Sequence, residues 1–117
     1  MTAPRSIRIS QQIKRELSEI IRRDLKDERL APIVSITDVE VSGDYRHTKV
    51  FISVFGDEAQ QKSTLAVLTE RTGYIRGEVC RRVGMRFAPE MSFFLDNSLE
   101  RGARVSDLIS KITRGEL

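Results

Sequence analysis

Residues 65–98 read LAVLTERTGYIRGEVCRRVGMRFAPEMSFFLDNS. Leu65 and Leu68 anchor one amphipathic run, Ile75, Val79 and Val83 mark a second, and Met91, Phe93 and Leu95 alternate in a third. The first two patterns predict helices, and the last predicts a strand with one buried face. Thr72-Gly73 stands between the helices. A glycine costs roughly 1 kcal/mol in a helix interior relative to alanine, so the break is expected there. Between Arg71 and Arg86 the chain places five arginines against one acid, Glu78. That local excess of four positive charges is larger than the +3 of the whole chain.

Working outward, residues 6 or 10 to 26 carry Ile13, Leu17, Ile20, Ile21 and Leu25 at helical spacing. On a wheel of about 100° per residue, Arg8, Arg15, Arg22 and Lys26 fall within about 40° of one another, nearly opposite that apolar stripe. This helix therefore has a core side and a basic side, softened where Glu19 can pair with Arg22. Asp27-Glu28-Arg29-Leu30-Ala31-Pro32 ends this helix, because proline disfavours helical geometry before it and cannot continue the ladder, and a loop follows. Residues 35–42 set Thr37, Val39 and Val41 against Asp38 and Glu40, and residues 48–55 set Val50, Ile52 and Val54 against Lys49, Phe51, Ser53 and Phe55. These are two strands of a hairpin connected through Gly43-Asp44, with His47 a solvent-exposed residue of the connection. Gly84 ends the helix after the break. Asp96-Asn97-Ser98 is helix-initiating chemistry, and Val105, Leu108, Ile109 and Ile112 predict a final helix over residues 99–113. The order is α-β-β-α-kink-α-β-α. The expectation is one α+β domain over residues 1–117, ordered from about 5 to 113, with helices packed on a three-stranded sheet.

The chain has 117 residues, of which 39% are hydrophobic and 32% charged, as in an ordinary globular domain. Its basic residues are fifteen arginines and five lysines. Arginine's planar fork matches phosphate oxygens in pairs and stacks on bases, which a lysine point charge does not do. The positive charge is concentrated in residues 1–29 and 71–86. Nucleic acid is the leading partner on that ground, against the reading that arginine-rich faces only keep a small protein in solution. Tyr74, Gly77 and Arg81 share the exposed side of the second short helix, where a ring can stack a base, a glycine can admit a backbone and a fork can pair a phosphate. The plainer alternative makes Gly77 a weak spot in the helix and Tyr74 a partly buried ring.

Catalytic signatures are missing: there is no P-loop, no G-x-S-x-G, no H-E-x-x-H and no paired Cys/His ligand set. One cysteine, Cys80, and one histidine, His47, complete neither a disulfide nor a zinc site, and no cofactor is implied. Cys80 lies at the margin of a core face and reads as an inert thiol. The N-terminal MTAPRSIRIS has no signal-type apolar run, and the longest apolar stretch, residues 50–55, is far short of a membrane span. A cytosolic protein is expected, although an organellar chain that has lost its transit peptide would read the same.

Several motifs resemble the bacterial and organellar ribosome-binding factor A family. They are Lys26-Asp27-Glu28-Arg29-Leu30, Ser42-Gly43-Asp44 followed by Thr48-Lys49-Val50-Phe51, Thr72-Gly73-Tyr74-Ile75-Arg76, and the most specific, Pro89-Glu90-Met91-Ser92-Phe93-Phe94-Leu95-Asp96-Asn97-Ser98. The resemblance spans residues 5–113 and implies a KH-like fold with an N-terminal helix and strand added. It further implies that the GxxG loop of ordinary KH domains is replaced by an interhelical kink of Ala-x-Gly pattern, here Arg71-Thr72-Gly73, with arginine in the alanine position. A non-catalytic factor in late maturation of the small ribosomal subunit, contacting its 16S-type RNA and associated with growth in the cold, is the implied function. The RNA-facing set on this reading is Arg8, Arg15, Arg22, Lys26, Arg71, Gly73, Tyr74, Arg76, Gly77, Arg81, Arg82 and Arg86. An Arg81→Glu/Arg82→Glu protein is then expected to stay folded and to lose subunit binding. The rival is a protein-interaction module, a monomer docking its basic face on an acidic partner such as an assembly GTPase. An enzyme acting on RNA is a third reading, which no residue constellation supports.

Overall fold

The computed structural model describes residues 5–96. The expected final helix over residues 99–113 lies outside them. Helix α1 (Arg5–Glu19) runs into a π-helical turn (Ile20–Asp24), and strands β1 (Ile33–Val41) and β2 (His47–Phe55) follow. Helices α2 (Glu58–Glu70) and α3 (Thr72–Val83) come next, and then strand β3 (Glu90–Leu95). The sheet order is β1-β2-β3, with β1 antiparallel and β3 parallel to the central β2. Three helices pack on this mixed sheet, the α+β architecture expected. The core joins Ile13, Leu17 and Ile20 to Ile36, Val39, Val50 and Ile52 of the sheet, Leu68, Ile75 and Val79 of α2 and α3, and Met91 of β3.

Local chemistry sets the element ends. Asp57 and Gln60 cap α2 reciprocally: the Asp57 carboxylate accepts the Gln60 N–H at 2.8 Å, and Gln60 Oε1 accepts the Asp57 N–H at 3.0 Å. A Cβ at Gly56 would collide with the folded-back Gln60 amide. At the other end of the layer, Gly84 adopts φ 77° and closes α3 in the left-handed conformation. The N–H groups of Gly84 and Met85 both reach the Cys80 carbonyl, at 3.0 and 2.9 Å.

Three expectations are corrected. The first helix was expected to reach residue 26, but α-helical bonding stops at Glu19, and the Leu25 N–H donates to the Ile20 carbonyl across a wider π turn. Lys26 is therefore beyond the helix. In β1 the buried set was expected to include Thr37, yet a bulge between Ile36 and Asp38 adds a residue, and the buried positions are Ile36 and Val39. Thr37 faces solvent and donates its hydroxyl to the Phe51 carbonyl at 3.2 Å. His47 is exposed as expected but opens β2 rather than lying in the turn.

Two buried threonines give a direct check on this packing. Thr64 Oγ1 accepts the Ala31 N–H at 3.0 Å, whereas Thr48 Oγ1 is buried without a hydrogen-bond partner among the described residues. Thr64→Val should lower stability by about 1–3 kcal/mol, and Thr48→Val should leave it unchanged or raise it by up to about 1 kcal/mol, measured by urea unfolding. Equal effects, or the opposite order, would contradict these assignments.

Candidate nucleic-acid interface

The joint between α2 and α3 falls at Arg71, one residue earlier than expected. Arg71 has φ −93° and ψ 9°, the bridge region between helix and strand geometry. Helical hydrogen bonding continues across it: the Arg71 N–H reaches the Val67 carbonyl at 2.9 Å, and the Ile75 N–H reaches the Arg71 carbonyl at 3.0 Å. The Thr72 hydroxyl sits 3.0 and 2.8 Å from the Leu68 and Thr69 carbonyls, serving the acceptors left at the end of α2. The connection is a tight kink, not a loop. Gly73 lies inside the first turn of α3 with ordinary helical backbone, which is why the break does not need it. A Cβ at Gly73 or Gly77 would meet nothing within 4 Å, so both positions are open to the outside.

The charge around this joint is largely balanced. Arg29 binds Asp27 at 2.9 Å and Glu70 at 2.7 Å, and Arg71 approaches Asp27 at 3.8 Å. Hydrogen bonds from the Arg29 side chain and backbone hold the Asp27 carboxyl down to about 2, and those from its side chain lower Glu70 as well. Arg29 itself is raised, first by Asp27 and then by Glu70.

A second network binds α3 to α1. Arg82 donates to Asp24 at 2.6 Å and to Glu78 at 3.0 Å, and lies 3.9 Å from Glu16. The Tyr74 hydroxyl donates to the same Asp24 at 3.1 Å. Partial desolvation of the Tyr74 hydroxyl, then the Asp24 carboxylate, pushes its pKa up. For Arg82, desolvation works against the charge and is outweighed by Glu78 and Asp24, so its pKa is raised. Arg81 pairs with Glu78 at 2.7 Å and, ahead of Arg82, lowers that carboxyl. Arg76 turns inward, donating to the Pro89 and Ala88 carbonyls at 2.7 and 3.1 Å and fastening the segment that leads into β3.

The twelve residues expected to face RNA therefore separate into distinct environments. Arg76 and Arg82 hold the fold together, and Tyr74, half exposed, is tethered by its hydroxyl with its ring still accessible. Arg22 shares Glu19 with Arg23. Arg71 and Arg81 are exposed with one acidic neighbour each, while Arg8, Arg15, Lys26 and Arg86 are exposed with no hydrogen bond or ion pair among the described residues. Arg82 cannot be reversed without breaking the α1–α3 seam, so the Arg81→Glu/Arg82→Glu protein is not the clean binding variant expected from sequence. Sequence reading missed the acids Asp24, Asp27 and Glu70. The i,i+4 spacing of Glu78 and Arg82 was visible, but Asp24 lies 58 positions from Arg82 and left no local signal.

Fold and surface together define a KH-like α+β domain with a kinked helix pair and an arginine-rich helical layer. The chain belongs to the ribosome-binding factor A family, whose model it matches over residues 5–109. It is 49% identical over 104 residues to the ribosome-binding factor A of Acetivibrio thermocellus, an alignment covering 89% of this chain and 85% of that protein. Among solved structures it is similar to the solution structure of a Thermotoga maritima protein described as a putative ribosome binding factor A, with TM-score 0.71 and 28% identity over 80% of this chain and 89% of that one. It is also similar to a Thermus thermophilus ribosome binding factor A homology model fitted into a cryo-EM map of a 30S complex, with TM-score 0.64 and 28% identity over 75% of this chain and 91% of that one.

The Asp27 cluster predicts a pH signature. A carboxyl lowered from 3.8 to about 2 in the folded state contributes stability that is complete above pH 3.8 and is lost as the pH falls through about 2. The stability gap between the wild-type protein and Asp27→Asn, followed by urea unfolding, should hold steady near neutrality and close across that acid window. A gap that stays constant through it would contradict the assignment.

Proposed function

We propose that this protein is a non-catalytic assembly factor that binds the small ribosomal subunit through its 16S-type RNA and assists late maturation of that subunit in the cytoplasm. The observation that carries this reading is family membership over residues 5–109, together with the likeness to a relative fitted into a 30S complex. The surface chemistry supports it. Arg71 and Arg81 flank the open positions Gly73 and Gly77 and the accessible Tyr74 ring, and Arg15 of α1, Arg22 of the π turn and Lys26 just beyond it are further exposed basic groups. A helical face without side chains at two positions admits a sugar-phosphate backbone closely, and exposed guanidinium groups then reach its phosphates. The protein acts as a single-domain monomer on this reading, and its association with growth in the cold and with assembly GTPases belongs to the same proposal. Among the described residues no helix is long and apolar enough to cross a membrane, and no group of three His, Cys, Asp or Glu side chains is placed to hold a metal ion.

Sedimentation of the protein with purified small subunits tests the reading. If about four to six phosphates are neutralised, log K against log[salt] should fall with a slope of roughly −3 to −5. Arg71→Glu/Arg81→Glu leaves the Asp24 and Ala88–Pro89 contacts intact, so it should melt near the wild-type temperature and bind subunits at least about tenfold more weakly. Salt-independent binding, or an unchanged affinity in that variant, would count against the proposal.

A further inference from the structure

Two of the arginines left unpaired among the described residues, Arg8 and Arg86, lie at the end of α3 opposite the kink, about 18 Å away along its twelve residues. Arg5 and Arg8 of α1, Asp44 and Tyr45 of the β1–β2 turn, and Arg86 and Phe87 after α3 line an open groove of about 960 Å³ there. Arg8 and Arg86 have no hydrogen bond or ion pair among the described residues. Arg5 lies over the Tyr45 ring, its guanidinium carbon 5.8 Å from the centroid. Asp44 also lines the groove, and its Oδ1 accepts the Ser42 hydroxyl at 2.6 Å and the Arg46 N–H at 3.1 Å within its own turn.

Two aromatic residues complete the groove lining. Tyr45 has φ 61°, and among the described residues it is the one non-glycine with positive φ. That conformation is strained for a bulky side chain, and the same turn is open to glycine or asparagine without the strain. Phe87, 66% exposed, lines the same groove. A strained aromatic residue and an exposed ring, set among three arginines, match the chemistry that holds an unstacked base and its phosphate.

We propose that this groove is a second RNA contact, one that takes an unpaired nucleotide with its phosphate between Arg8 and Arg86 and its base on the ring of Tyr45 or Phe87. The partner must be single-stranded, since bases paired in a duplex do not offer a face to a side chain. An acidic peptide would satisfy the arginines but leave the two rings without a purpose. The class of partner rests on the proposed RNA-binding role, whereas the position of the site is independent of the kink end.

The test measures fluorescence anisotropy of a labelled single-stranded oligouridylate, with small-subunit sedimentation run beside it. Phe87→Ala and Arg86→Gln should each weaken oligonucleotide binding by about tenfold or more without lowering the melting temperature. Tyr45→Gly should weaken it similarly while melting no lower than wild type, the reverse of what a purely structural tyrosine would do. Unchanged affinity in the folded Phe87→Ala and Arg86→Gln proteins, no measurable binding by wild type at low salt, or equal binding of oligoglutamate lost in the same variants would each overturn the site. If Arg71→Glu/Arg81→Glu loses subunits while the groove variants keep the oligonucleotide, the groove fails and the subunit reading stands. Loss of the oligonucleotide in the groove variants, with subunit binding insensitive to Arg71→Glu/Arg81→Glu, supports the groove and removes the contact proposed along α3.

Discussion

Asp24 is the point on which the helical layer depends. It stands at the end of the π turn and accepts both the Arg82 guanidinium and the Tyr74 hydroxyl, so a single carboxylate ties the end of α1 to positions near the start and the end of α3. Glu16 and Glu78 complete the set around Arg82, whose side chain is 24% exposed. Three acids around one partly exposed cation make a network whose members reinforce one another. The same seam carries Ile13, Leu17, Ile75 and Val79 into the core, so the polar network and the apolar packing hold the helices in one arrangement.

That arrangement decides where charge is left over. Of the five arginines between Arg71 and Arg86, Arg76 is bound to backbone carbonyls, and Arg82 and Arg81 to acids. Arg71 has Asp27 within 4 Å, and Arg86 has no ion pair among the described residues. A linear count places the positive field along the whole of α3. The folded chain instead engages Arg76 and, in the last turn of α3, Arg81 and Arg82, and leaves Arg71 at the kink with one acidic neighbour and Arg86 beyond the helix with none among the described residues. Long-range attraction of a polyanion survives this, because the net charge of +3 is unchanged. The direct phosphate contacts are redistributed.

Most of the fold was legible because hydrophobic spacing reports burial. Ile13 and Leu17, Ile75 and Val79, and the alternation of Val50, Ile52 and Val54 all fall where they were expected. What spacing does not report is a change of hydrogen-bond register. The π turn and the bulge at Thr37 each alter backbone pairing without altering composition, and Arg71 takes the kink although Gly73 is the better helix breaker, because Thr72 satisfies the carbonyls at the end of α2. The motif resemblance led to the family, and the charge anomaly led to the helical layer. Neither could tell Arg82 from Arg86, since the distinction lies in Asp24 and Glu16, which approach α3 only in the folded molecule. Arg5, Tyr45 and Phe87 were missed for the same reason: they are far apart in sequence and meet only at the groove.

The central claim is that the arginines of this region divide between holding the helices together and meeting a ligand. Melting temperature and small-subunit affinity measured side by side on Arg82→Ala and Arg86→Ala test it most directly. Arg82→Ala should melt several degrees lower, while its folded fraction binds subunits nearly as well as wild type. Arg86→Ala should melt like wild type and bind several-fold more weakly. A stable Arg82→Ala protein that has lost subunit binding, beside an Arg86→Ala protein that binds normally, would contradict the account.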